Sequence, residues 1–108
     1  MEIVVRGRNR PVPARLRGVA EHKVARIERV ARDAHRVEVD FSEERNPRVS
    51  ESQQCEITLH LKKRLVRAHA SAGEPGAALD LALDKVEHQV TRIKEKRIAR
   101  AHPRRDVS

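Results

Sequence analysis

The sequence predicts a single two-layer α+β domain, with two helices on one face of a four-stranded mixed sheet in the order β-α-β-β-β-α. Three observations lead there. Apolar residues recur at helical spacing in one early and one late stretch. Four shorter stretches alternate apolar with polar residues. A chain of 108 residues, 38% of them hydrophobic, suffices for one core and not for two.

Residues 2–9 (EIVVRGRN) are rich in β-branched side chains and read as the first strand. The segment Arg10-Pro11-Val12-Pro13 breaks it, with Pro13 suited to the first turn of a helix. From Pro13 to Asp33, Leu16, Val19, Ala20, Val24, Ile27, Val30 and Ala31 fall on one helical face. Val37, Val39 and Phe41 alternate with Arg36, Glu38 and Asp40 as a half-buried second strand. A polar loop with Asn-Pro inside it spans 42–52.

Cys55, Ile57, Leu59 and Leu61 mark a third strand, and Val66, Ala68 and Ala70 a fourth. A hairpin turning at Lys63-Arg64 sets Leu61 opposite Val66, Leu59 opposite Ala68 and Ile57 opposite Ala70. Lys-Arg is poor chemistry for a type I′ turn, so this register rests on the apolar pairing and leaves the turn type open. After Gly73-Glu74-Pro75-Gly76, the residues Ala78, Leu79, Ala82, Leu83, Val86, Val90 and Ile93 make the buried stripe of a long helix. The chain divides into a domain over 1–101 and a polar tail, or the start of a linker, over 102–108. Strands one and two need a parallel crossover through the first helix, and strands two to four an antiparallel meander.

Charge narrows the function. Twenty-four Lys and Arg against sixteen Asp and Glu give a net charge of +8, which favours a polyanionic partner through counterion release. On a helical wheel with Lys85 at 0°, Lys96 falls at about 20°, Gln89 at about 40°, Arg92 at about 340° and His88 at about 300°. Asp80, Asp84, Glu87 and Glu95 occupy roughly 200–280°. Acids and bases thus lie on different flanks, whereas a helix built only for solubility more often mixes signs at i and i+4. On the first helix Arg15, His22, Arg26 and Arg29 share a flank, with Lys23 at the border of the apolar face. Two adjacent basic flanks would form one groove for a phosphate backbone. A solvated face is the plain alternative, and the second basic flank weighs against it.

Other chemistries find less support. Modules that stack unpaired bases use exposed aromatics, and this chain has no Tyr or Trp and a single Phe. Binding is therefore expected to read phosphate, 2′-hydroxyl and shape. No apolar run reaches the length of a membrane span, and MEIVVRGRNR lacks a signal-peptide core, which with the lone Cys55 points to the cytoplasm. The six histidines show no finger-type pairing with cysteine. His60 and His69 come out as diagonal neighbours on the exposed sheet face, a weak basis for a metal site. Asp80 and Asp84 sit beside bases on an exposed flank, with no pocket, glycine-rich loop or nucleophile signature. No enzyme activity, cofactor, small-molecule substrate or membrane partner is expected.

The segments IVVRGRN, HKVARIERV and AALDLALDKVEHQVTRIKEKR resemble the hibernation-promoting factor family of bacteria and plastids, also called ribosome-associated inhibitor or protein Y. The resemblance covers residues 2–97, with the last helix its most specific part. It implies the same fold, and binding to the small ribosomal subunit and its 16S-type RNA where messenger and transfer RNA would sit. Translation would then be blocked by occlusion. It places the RNA-binding residues at Lys23, Arg26 and Arg29 on the first helix and at Lys85, His88, Gln89, Arg92 and Lys96 on the second. Three departures stand out. His88 replaces a usual Arg, which would weaken that contact or make it pH-dependent. Glu74-Pro75-Gly76 replaces a segment that usually carries an aromatic. The dimerisation domain of long members has no counterpart in these residues, so a short form and the N-terminal part of a long one both fit, and this segment alone is not expected to dimerise. The competing class is a protein-interaction module that offers its sheet face or an edge strand.

Overall fold

The computed structural model describes the backbone of residues 1–101 and the side chains as far as Arg97; the expected polar tail, 102–108, lies outside the described residues. Six elements match the expected order: β1 (Glu2–Gly7), α1 (Ala14–Val24), β2 (Arg36–Glu43), β3 (Gln53–His60), β4 (Leu65–Ala72) and a long final helix (Pro75–Ala101). A single extra turn, α2 (Ile27–Val30), follows α1, so the long helix is α3. The sheet runs β1-β2-β3-β4, with β1 parallel to β2 and the other pairs antiparallel.

One sheet face carries the core. Val5, Val37, Val39, Phe41, Cys55, Ile57 and Leu59 point into it, and Phe41 is its largest fully buried side chain. Ala68, Ala70 and Ala72 line β4 on the same face, and these small side chains let α3 lie close over the sheet. The stripe from Ala78 to Val90 on α3 is buried as expected, with Ile93 packed at its edge. On α1 and α2 the buried residues are Ala20, Val24 and Ile27. Val19, expected inside, is 37% exposed.

The first helix is not continuous to Asp33. At its end Arg26 N donates to Lys23 O and Glu28 N to Ala25 O, spacings of three residues that tighten the chain into a 3₁₀-like turn. This tightening puts Val24 and Ile27, both fully buried, over the same patch of core. Ala31, at φ −128° and ψ 83°, then leaves helical geometry and leads to β2.

The hairpin register also differs. Leu59 pairs with Val66, Ile57 with Ala68 and Cys55 with Ala70, and Leu61 N donates to Arg64 O at 2.9 Å. The turn therefore centres one residue earlier, on Lys62-Lys63. No non-glycine residue described has positive φ, whereas a type I′ turn requires it twice. A shift of two in pairing keeps every side chain on its expected face. It also separates the histidines, since His69 lies opposite Glu56 and His60 opposite Leu65.

The outer sheet face is charged. Arg36 bridges Glu2 at 2.7 Å and Glu38 at 2.9 Å, and Arg6 holds Asp40 through two contacts at 2.8 and 3.2 Å. Arg36 is the main reason the Glu38 carboxyl titrates below the usual range. Asn9 docks the end of β1 on β2, donating to Glu43 O at 2.9 Å and accepting from Glu43 N at 2.8 Å. In the loop after β2, Arg48 N donates to Asn46 Oδ1 at 3.0 Å, the Asx turn that Asn-Pro signals.

Candidate nucleic-acid interface

Pro75 opens α3 as expected, and the helix runs diagonally over β3 and β4 with α1 beside it. Its buried stripe fixes its rotation, and rotation decides where each charged flank points. The acidic flank faces α1. Lys23 Nζ reaches Asp80 Oδ1 at 2.6 Å, and Arg26 takes Glu87 in a fork at 2.8 and 3.1 Å with Asp84 at 3.5 Å. Lys23 at the end of α1 and Arg26 in the turn before α2 are thus partnered by acids of α3.

The basic flank points the other way, over the β4 edge. Lys85 Nζ donates to the His69 carbonyl and Gln89 Nε2 to the Arg67 carbonyl, both at 2.8 Å. Because Leu61 and Arg64 pair across the hairpin, the odd residues of β4 turn their backbone groups away from β3. Those two carbonyls therefore belong to the free edge. His88, Arg92 and Lys96 are exposed and make no ion pair among the described residues. A shallow depression lies between Asp84, Lys85, His88, Gln89 and Arg92.

The expected residues thus fall into two sets. Lys85, His88, Gln89, Arg92 and Lys96 share one surface, as the wheel indicates. Lys23 and Arg26 lie on the opposite flank of α3, with its acids between the sets, so the two basic flanks do not meet as one groove. Arg29, exposed on α2, stands with the second set. On the strand beside the stripe, Arg67 and His69, which the periodicity did not single out, expose their side chains on the outer sheet face, away from the helix layer. The signal for them was present, since β4 alternates Ala with Arg and His.

The other free edge is covered in the same way. Glu2 N and Arg8 N donate to β2, so Val5 O faces outward, and Arg17 of α1 donates to it at 2.7 Å. Long side chains from the helix layer thus occupy carbonyls on both edges of the sheet, which takes up acceptors an added strand would need.

Residues 3–98 match the family described as Sigma 54 modulation protein / S30EA ribosomal protein. The chain belongs to this family. It is 38% identical over 97 residues to a ribosome hibernation promotion factor of Mycobacterium tuberculosis, a match covering 89% of this chain and 44% of that protein. A ribosome hibernation promoting factor of Azotobacter vinelandii is 32% identical over 105 residues, covering 97% of this chain and 94% of the relative. The chain therefore spans under half of one relative and nearly all of the other. Among solved structures, the N-terminal domain of Thermus thermophilus Protein Y superposes with a TM-score of 0.71 at 30% identity, covering 86% of this chain and 99% of that one. A ribosomal subunit interface protein from Coxiella burnetii shares the fold, with a TM-score of 0.77 at 20% identity over 88% of this chain and 99% of its own. The resemblance read from the first strand and the two helices is borne out.

Proposed function

We propose that the chain is a non-enzymatic ribosome hibernation factor. It binds the RNA of the small ribosomal subunit in the messenger and transfer RNA channel and inhibits translation by filling that space. The observation that carries this reading is the division of charge on α3. Asp80, Asp84 and Glu87 are engaged by Lys23 and Arg26, and the opposite flank presents His88, Arg92 and Lys96 to solvent. The names of the relatives support the ribosome as the setting, and the sequence resemblance supports the channel. Occlusion needs shape, charge and a rigid body, and no cofactor. Strand pairing with another protein fits less well, because side chains already occupy carbonyls on both sheet edges.

Co-sedimentation with small ribosomal subunits over a salt series tests the reading. Binding is expected to weaken steeply as salt rises, and R92E/K96E is expected to flatten the slope by about 2, at roughly 0.9 per lost phosphate contact. Neither residue caps the β4 edge, so the variant keeps the fold, which circular dichroism checks. Unchanged slope and affinity in a folded R92E/K96E would rule out the α3 stripe as the contact.

A further inference from the structure

A second basic surface lies on the far side of α3. Between the end of α2, the β3–β4 turn and the C-terminal half of α3 is a cleft of about 600 Å³. Among the described residues its rim carries Arg32, Lys62, Lys63, Arg64, Lys94 and Arg97 against one acid, Asp33. Its floor is aliphatic, made by Val30, Ala31, Leu61, Val90 and Ile93. Lys94 and Arg97 stand about 180° and about 120° around the helix from Lys85, so this surface is separate from the stripe. Among the described residues only Arg97 has an ion-pair partner here, Asp33 at 3.8 Å.

We propose that this cleft is a second RNA site, which holds a sugar–phosphate strand against the rim while one unstacked nucleotide lies on the aliphatic floor. The inference rests on the reading of the chain as an RNA binder. Charge complementarity calls for an anion, because cations from three elements converge there with one carboxylate among them. Hydrogen-bonding chemistry selects the kind of anion. The lining side chains offer cationic donors, and their one acceptor, Asp33, already faces Arg97. A peptide brings backbone donors as well as acceptors, and these side chains would leave the donors unmatched. A phosphodiester strand brings acceptors along its whole length. The volume falls within the range of about 300–1,000 Å³ typical of small-ligand sites, room for one nucleotide. The floor gives its base an apolar surface without an aromatic ring.

The test uses the full chain and a fluorescein-labelled RNA hairpin carrying one bulged uridine, read by anisotropy over a salt series. The turn variant K62Q/K63Q/R64Q changes only exposed side chains and is expected to flatten the salt slope by about 2 to 3, and K94Q by about 1. An abasic site in place of the bulged uridine is expected to weaken binding to the wild-type chain several-fold. Unchanged slopes in both variants, for the hairpin and for small subunits, would overturn the cleft and leave the α3 stripe standing. Loss in the turn variant with none in R92E/K96E would support the cleft and overturn the stripe. Equal binding of the abasic hairpin would overturn the placement of the base. Displacement of the RNA by polyglutamate at equal charge concentration would overturn the assignment in favour of an acidic polypeptide.

Discussion

Neutralising the acidic flank of α3 should destabilise the domain and strengthen RNA binding at once. In D80N/D84N/E87Q, Lys23 loses its partner at 2.6 Å and Arg26 loses the fork on Glu87 and the longer contact to Asp84. Exposed ion pairs contribute about 0.2–1 kcal/mol each, and the forked Arg26 pair belongs at the upper end. The two together amount to about 1–2 kcal/mol. At about 4–8 °C per kcal/mol for a domain of this size, the melting temperature should fall by roughly 4–16 °C. On the RNA side, two released cations add up to about 2 to the salt slope, and the loss of three negative charges removes repulsion from phosphate. Thermal unfolding followed by circular dichroism reads the first effect, and co-sedimentation with small subunits between about 50 and 200 mM salt reads the second. Lower stability with an unchanged slope would show that Lys23 and Arg26 tether the helices and do not touch RNA. Unchanged stability would refute the energetic role given to the pairs themselves.

A Cβ on Gly7 would collide with the Arg10 carbonyl oxygen and crowd Val12, so Gly7→Ala should cost about 1–3 kcal/mol in urea unfolding. Burial pushes the Cys55 thiol up to about 12, so it should resist thiol reagents at pH 8 until the protein is unfolded; rapid labelling of the native chain would contradict the burial. A thiol raised on folding stabilises fully below its unfolded value near 9 and loses that contribution as pH rises towards 12, so Cys55→Ala should flatten the alkaline fall in stability. Removing the edge caps with R17M, K85M and Q89M together should promote concentration-dependent association, measured by sedimentation velocity; a monomeric triple variant would show that the caps do not guard the edges.

Much of this molecule is legible in its sequence because the signals are local. The α3 stripe is a matter of angle along one helix, and helix geometry fixes angle. The β2, β3 and β4 faces follow from alternation alone. The hairpin register was not legible, because Val66 can face Leu61 or Leu59, and Ala68 can face Leu59 or Ile57, with the same faces inward. The turn that forms, on Lys62-Lys63, does so without positive φ. The break after Val24 carries no Gly or Pro to announce it and serves the placement of Ile27 in the core. Which flanks of α1 and α3 meet depends on helix placement over the sheet. The clue available was complementarity, with Asp80, Asp84 and Glu87 along one flank and Lys23 and Arg26 one turn apart on the other helix.

The capping of the β4 edge bears on how the basic stripe is to be understood. Lys85 and Gln89 use their polar ends on backbone carbonyls of β4, so part of what the wheel groups as one RNA-binding surface also holds the sheet. An RNA contact through Lys85 must share or displace that bond, whereas His88, Arg92 and Lys96 are exposed and would meet phosphate without disturbing the fold. The stripe therefore divides into an anchored inner row and an outer row that reaches solvent. A loss of RNA binding in the outer row reports on contact, while one at Lys85 mixes contact with the integrity of the edge. Arg67 and His69 turn their side chains to the outer sheet face, so the edge strand carries its own cations on the side away from the helices. The side chains that cap the β4 carbonyls thus belong to the same stripe as the cations proposed to meet a polyanion.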